Sequence, residues 1–167
     1  EAGLLDASDK GVILLGSGSG SLPILAAAWQ LANDRAAKIR IRGVIACGLT
    51  PSPVAWEGCP LALTKTLHDF AGATPATINP QTLRADGFPP MLLLHGDADA
   101  EVPTRTAQKF HDRIAESGEV CVFAPITGAA HQFIESPFDR PARQAFDRIL
   151  PFVREYGADP EVLQAKA

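Results

Sequence analysis

The sequence has 167 residues, 46% of them apolar and 20% charged, with Gly and Pro contributing 14 each; that length and mix suit about one packed domain and exclude a disordered or collagen-like chain. Lys plus Arg is 15 and Asp plus Glu 19, a net charge of −4, so the basic field that nucleic acid or an anionic membrane surface needs is missing. No apolar run approaches the roughly 18–20 residues of a membrane span, and three cysteines (Cys47, Cys59, Cys121) without a C-x-x-C pair read as buried thiols of a cytoplasmic protein rather than a disulfide framework or zinc site.

In chain order, residues 11–15 form a short apolar run that ends in Gly16-Ser17-Gly18-Ser19-Gly20-Ser21. An Ala-rich stretch follows to about residue 37, with Leu22, Leu25, Ala28, Trp29 and Ala32 at helical spacing. The pattern is strand, glycine turn, helix. Residues 39–47 form a second apolar run and a second strand. Residues 49–89 are rich in Pro and Thr and read as a cap-like excursion; Leu63, Leu67 and Phe70 mark one helical face inside it, between Pro60 and Gly72. Regular structure returns with a strand over 91–94, ending in His95-Gly96-Asp97-Ala98-Asp99. Thr104 caps a helix carrying Ala107, Phe110 and Ile114, which stops at Gly118, and residues 120–123 form a strand. A last helix starts near Pro137 with Phe138, Ala142, Phe146, Ile149 and Val153 facing inward, and Pro151 is expected to kink or shorten it. Alternation of this kind predicts an α/β fold: a parallel sheet covered by helices on both faces. The domain spans 1–157, with 158–167 as a C-terminal tail.

In an open parallel sheet, functional groups gather beyond the carboxyl ends of the strands. Three strand ends carry such groups: residues 16–21, residues 95–99, and the loop Gly128-Ala129-Ala130-His131. The segments Val12-Ile13-Leu14-Leu15-Gly16-Ser17-Gly18-Ser19-Gly20, Pro89-Pro90-Met91-Leu92-Leu93-Leu94-His95-Gly96-Asp97-Ala98-Asp99 with Val102-Pro103, and Ala130-His131-Gln132-Phe133 together resemble the C-terminal half of an α/β-hydrolase of the esterase/lipase branch. The resemblance implies a catalytic triad. Asp99 would orient His131, and His131 would be the general base for a serine nucleophile on a strained strand-to-helix turn. Asp97 competes with Asp99 but fits the family spacing less well. No cofactor and no metal is implied; His95, Asp97 and Asp99 lack the second histidine of a metal cluster and read as packing.

Two departures stand out. Aligning Gly16 and Gly20 with the outer glycines of the family's G-x-S-x-G nucleophile elbow puts Gly18, not Ser, at the nucleophile position. Ser17 is the alternative nucleophile if the register slips, and the Ser19 N–H is an oxyanion donor. Moreover, the family's N-terminal strands, with their His-Gly-Gly oxyanion loop, are absent from this chain, because only ten residues precede Gly11. The resemblance therefore implies that the N-terminal half of the fold comes from a separate chain or a missing part of the protein. The reading is a serine-type carboxylic-ester hydrolase for a small-molecule ester, with its nucleophile position vacant. The alternatives are a catalytically silent hydrolase-like binding or partner module and, third, a dinucleotide-binding domain, for which the second strand lacks a terminal acid.

Overall fold

The structure, a computed structural model, describes residues 11–50, 52, 65, 69 and 79–157. The expected helix around Leu63, Leu67 and Phe70, most of the 49–89 excursion, Trp56, Cys59, His68 and the 158–167 tail lie outside the described residues. Within them the order is β1 (Val12–Ser17), α1 (Ser21–Asn33), β2 (Ile41–Cys47), β3 (Met91–Gly96), α2 (Thr104–Glu116), β4 (Cys121–Ile126) and α3 (Arg140–Gly157), with 3-10 turns at Gly18–Gly20 and Phe133–Glu135. The four strands form one parallel sheet in the order β1-β2-β3-β4.

Strand side chains alternate between faces, so each buried strand needs cover on both sides. On one face Val44, Ala46, Met91 and Leu93 pack with Leu25 and Ala28 of α1 and with Ala107, Phe110 and Ile114 of α2. On the other, Ile45, Cys47, Leu92 and Leu94 meet Ala145, Ile149 and Phe152 of α3. β3 is buried along its whole length, which accounts for its unbroken apolar run. Between Val12 and Ile13 the β1–β2 register slips by one residue. Gly43 follows directly: a Cβ there would stand 2.8 Å from the Phe152 ring, so glycine lets the α3 aromatic lie against the strand. The chain returning from the excursion is tied to both helices of the first face. The Trp29 indole N–H donates to Asp86 O at 3.0 Å, and the Arg113 guanidinium donates to Leu83 O and Pro80 O, each at 2.9 Å.

Two expectations about helix faces are corrected. In α1, Leu22, Leu25 and Ala28 are buried as expected, but Trp29 is half-buried and Ala32 exposed. In α3 the inward residues are Ala142, Ala145, Ile149 and Phe152, whereas Phe146 and Val153 are each 40% exposed, and Phe138, which precedes the helix, is 84% exposed. The small alanines let α3 approach the sheet closely, which rotates the larger apolar residues to one flank. Pro151 does not end the helix, which continues to Gly157. Its ring is on the exposed side, where the Asp147 carbonyl that it leaves without an N–H donor can turn to water. No helix of the described residues is long and apolar enough to cross a membrane.

Candidate active site

β1 delivers the chain to Gly18, which sits at φ +54°, in the left-handed region; no non-glycine residue among those described has positive φ. Only glycine enters that region without strain. The turn is tight on its strand side. A Cβ on Gly16 would lie 2.7 Å from Gly20 O and 2.8 Å from Ile24 Cδ1, so Gly16 is required by close approach of strand and helix, while Gly20 has open space and no steric reason to be glycine. Ser21, fully buried, braces the turn: its hydroxyl donates to Gly18 O at 2.6 Å and accepts the Thr50 N–H at 3.1 Å, binding the turn to the segment after β2.

The Asp99 carboxylate comes from the loop just past β3. Gly96 lies so close to the loop after β4 that a Cβ would stand 2.1 Å from Ala129 O, and the Ala98 N–H donates to the same carbonyl at 3.1 Å. This contact brings the two loops side by side. Asp99 Oδ1 accepts the backbone N–H groups of Glu101 (2.9 Å) and Val102 (2.8 Å). Its Oδ2 is 2.8 Å from His131 Nδ1 and 3.1 Å from His95 Nε2. Asp97 points elsewhere and accepts the Gly128 N–H at 2.7 Å.

Burial alone pushes the Asp99 carboxyl up. The hydrogen bonds from His131, His95 and the Val102 N–H outweigh it and hold the group well below the usual carboxylate range. His131 is shifted upward, first by its hydrogen bond to Asp99. Burial opposes the shift, and the charges of Asp99, Glu101 and Glu135 add to it. A carboxylate that accepts at Nδ1 fixes the imidazole proton there and leaves Nε2 as the proton acceptor. That nitrogen faces the turn: a Cβ built on Gly18 would be 3.3 Å from His131 Nε2. A cavity of about 190 Å³ opens here, between Ser17, Gly18, Ser19 and Thr50 on one side and Glu101 and His131 on the other. A larger cavity of about 400 Å³, between β4 and α3, holds none of these groups.

The sequence-predicted residues Gly18, Asp99 and His131 thus come together, and Ser17 and Ser19 flank Gly18 on the cavity wall. Two participants escaped sequence reasoning. Ser21 looked like the tail of a Gly/Ser run, and His95, read as packing, also reaches Asp99; the only signal for it was its i, i+4 spacing from that residue.

The chain superposes on esterase 2 of Thermogutta terrifontis in its apo form with a TM-score of 0.65 at 22% identity, covering 86% of this chain and 55% of that one. The chain carries part of an α/β-hydrolase fold. The propionate-bound form of the same esterase matches with a TM-score of 0.64 at 22% identity and the form phosphonylated by sarin with 0.64 at 23%, over the same shares of each chain. In sequence, the chain is 30% identical over 108 residues to a putative carboxymethylenebutenolidase of Methylorubrum extorquens, a match that covers 62% of this chain and 34% of that protein. The chain therefore spans about half the length of the esterase and about a third of the butenolidase. No protein-family model matches it.

Proposed function

We propose that this chain carries the acid–base side of a serine-type carboxylic-ester hydrolase site, with residue 18 as the nucleophile position and glycine occupying it. The observation that carries the reading is one line of groups: Asp99 Oδ2 to His131 Nδ1 at 2.8 Å, then His131 Nε2 to the Gly18 Cβ direction at 3.3 Å. With a hydroxyl at 18, His131 Nε2 takes the Oγ proton as the oxygen attacks the ester carbonyl. Asp99 stabilises the imidazolium, which returns the proton to the departing alkoxide, and water then cleaves the acyl group by the reverse route. The Ser19 N–H opens the helical turn, where the first N–H groups have no intrahelical acceptor, and suits one oxyanion contact. The second donor belongs to the half of the fold that this chain does not span.

That half, an N-terminal set of strands, completes the sheet at the β1 edge. Leu15 is 50% exposed there, and Ile13 meets the end of α3 at Gly157. At 100° per residue, the exposed Phe146, Leu150 and Val153 share the flank of α3 opposite Arg148 and Glu155, which face β4. An apolar helix flank beside a sheet edge that no other described strand pairs is what an incoming strand and helix would cover. Residues 49–89 supply a cap to the same single domain. The substrate class is a small-molecule ester. The free thiols Cys47 and Cys121 suit a cytoplasmic protein. Gly18 itself favours a second reading, in which the site binds an ester or a partner without turning it over.

The test is fluorophosphonate labelling of Gly18→Ser with the N-terminal half of the fold supplied. The label should sit on residue 18 and vanish in Gly18→Ser/His131→Gln. No label, or a label on Ser17 or Ser19, overturns the assignment.

A further inference from the structure

His95 closes β3 with its side chain fully buried. Its Nε2 lies 2.8 Å from Val102 O and 3.1 Å from Asp99 Oδ2. Both neighbours are acceptors at neutral pH, a carbonyl oxygen and a carboxylate oxygen, so the ring proton must be on Nε2, where it is hydrogen-bonded to Val102 O and lies beside the Asp99 carboxylate. Nδ1 is buried and faces no partner among the described residues, which leaves that nitrogen no acceptor for a proton of its own. A space-filling residue in this apolar strand would be Leu, like its three predecessors Leu92, Leu93 and Leu94. An imidazole with an unpartnered buried nitrogen is a costly substitute, and its compensation at Nε2 is the hydrogen bond to Val102 O and the close Asp99 carboxylate.

These two contacts have a geometric consequence. The 96–102 loop leaves β3, turns at Asp99 and returns at Val102. Within the loop, Asp99 Oδ1 is held by its own neighbours Glu101 and Val102, which fixes the carboxylate relative to the loop but not relative to the sheet. His95 belongs to the sheet. Its N–H touches both the middle of the loop, at Asp99, and its end, at Val102.

We propose that His95 is a positioning residue for the acid–base pair: its Nε2–H pins the Asp99 carboxylate and the Val102 carbonyl to the end of β3, so that Oδ2 stays in register with His131 Nδ1. The inference rests on reading Asp99 and His131 as the acid–base pair, but not on any turnover. The groups that face His131 are Asp99 and Glu101 from the acid loop and Glu135 from the 3-10 turn that follows it; His95 reaches it only through Asp99.

The experiment is NMR of the ¹⁵N-histidine-labelled 167-residue chain, following the ring nitrogens of His95 and His131 through a pH titration. In the unmodified chain His95 carries its proton on Nε2, and a His95 protonated on Nδ1 at neutral pH overturns the proposal. His95→Leu is expected to lose the downfield His131 Nδ1 proton resonance and to lower the His131 titration towards the ordinary imidazole value. His95→Gln, whose amide N–H can reach the Nε2 position, keeps both. A folded His95→Leu chain whose His131 titrates as in the parent or higher shows that His95 only fills space. If His95→Leu does not fold, the parent tautomer and His95→Gln decide: a Gln variant that titrates as low as ordinary imidazole refutes the pin. Failure of fluorophosphonate labelling at residue 18 would leave these outcomes untouched, so the two claims fall separately.

Discussion

Gly18→Ser separates the hydrolase reading from a mere likeness of fold, because two effects of opposite value must arrive together. At φ +54° a non-glycine residue carries about 1–3 kcal/mol of backbone strain. The added Cβ meets His131 Nε2 at 3.3 Å, close enough that the ring must give by a few tenths of an ångström. Against this, serine restricts the unfolded chain and returns about 0.4–1 kcal/mol. The net is a loss of roughly 1–2 kcal/mol, read as a lower urea midpoint with an unchanged slope. Gly18→Ala should lose about as much, since the penalty is in the backbone. Only the serine should react with a fluorophosphonate, slowly in the chain alone and faster with the N-terminal half present. A Gly18→Ser chain that is more stable than the parent and stays unreactive in the completed fold would mean that this turn is not a nucleophile elbow.

The raised His131 value contributes stability that is complete below the unfolded imidazole value of about 6.5 and is lost as pH rises through the folded value. The lowered Asp99 value contributes above the unfolded carboxylate value of about 3.9 and is lost only as pH falls through its folded value. The stability gap between parent and His131→Gln should therefore be wider at about pH 5–6 than at about pH 9, on either side of the ordinary imidazole value; a gap equal at both would refute the coupling. Gly96→Ala drives a Cβ to 2.1 Å from Ala129 O, a backbone atom that cannot swing aside, and should cost about 3 kcal/mol in urea unfolding and disturb the His131 ring resonances; a near-neutral effect would deny the loop contact. Phe152→Ala should cost about 3–5 kcal/mol, whereas Phe146→Ser should stay within about 0.5 kcal/mol in this chain; equal costs would contradict the observed face of α3.

The strands were legible because their apolar runs are short, β-branched or leucine-rich, and end in glycine or in chemistry-bearing residues. Gly18, Asp99 and His131 were legible because each sits just past a strand end, where a parallel sheet must converge. The face of α3 was legible only in part. It carries two adjacent apolar stripes, and a reading weighted by side-chain size adds Phe146 and Val153 to the correctly placed Ala142 and Ile149, whereas contact with the sheet selects Ala145 and Phe152. His95 was hidden for a related reason: a histidine in an apolar strand looks like packing until the 96–102 loop folds back and sets an acceptor on either side of its Nε2. Ser21 needed the Thr50 backbone, brought near only by the β1–β2 pairing.

The central claim is that Asp99 holds His131 as a base aimed at residue 18, and the most direct measurement is the imidazole titration of His131 in the parent chain and in Asp99→Asn. The account predicts a parent value above that of an ordinary histidine, falling when the carboxylate becomes an amide, with loss of the downfield Nδ1 proton. A His131 that titrates identically in the two chains would contradict it.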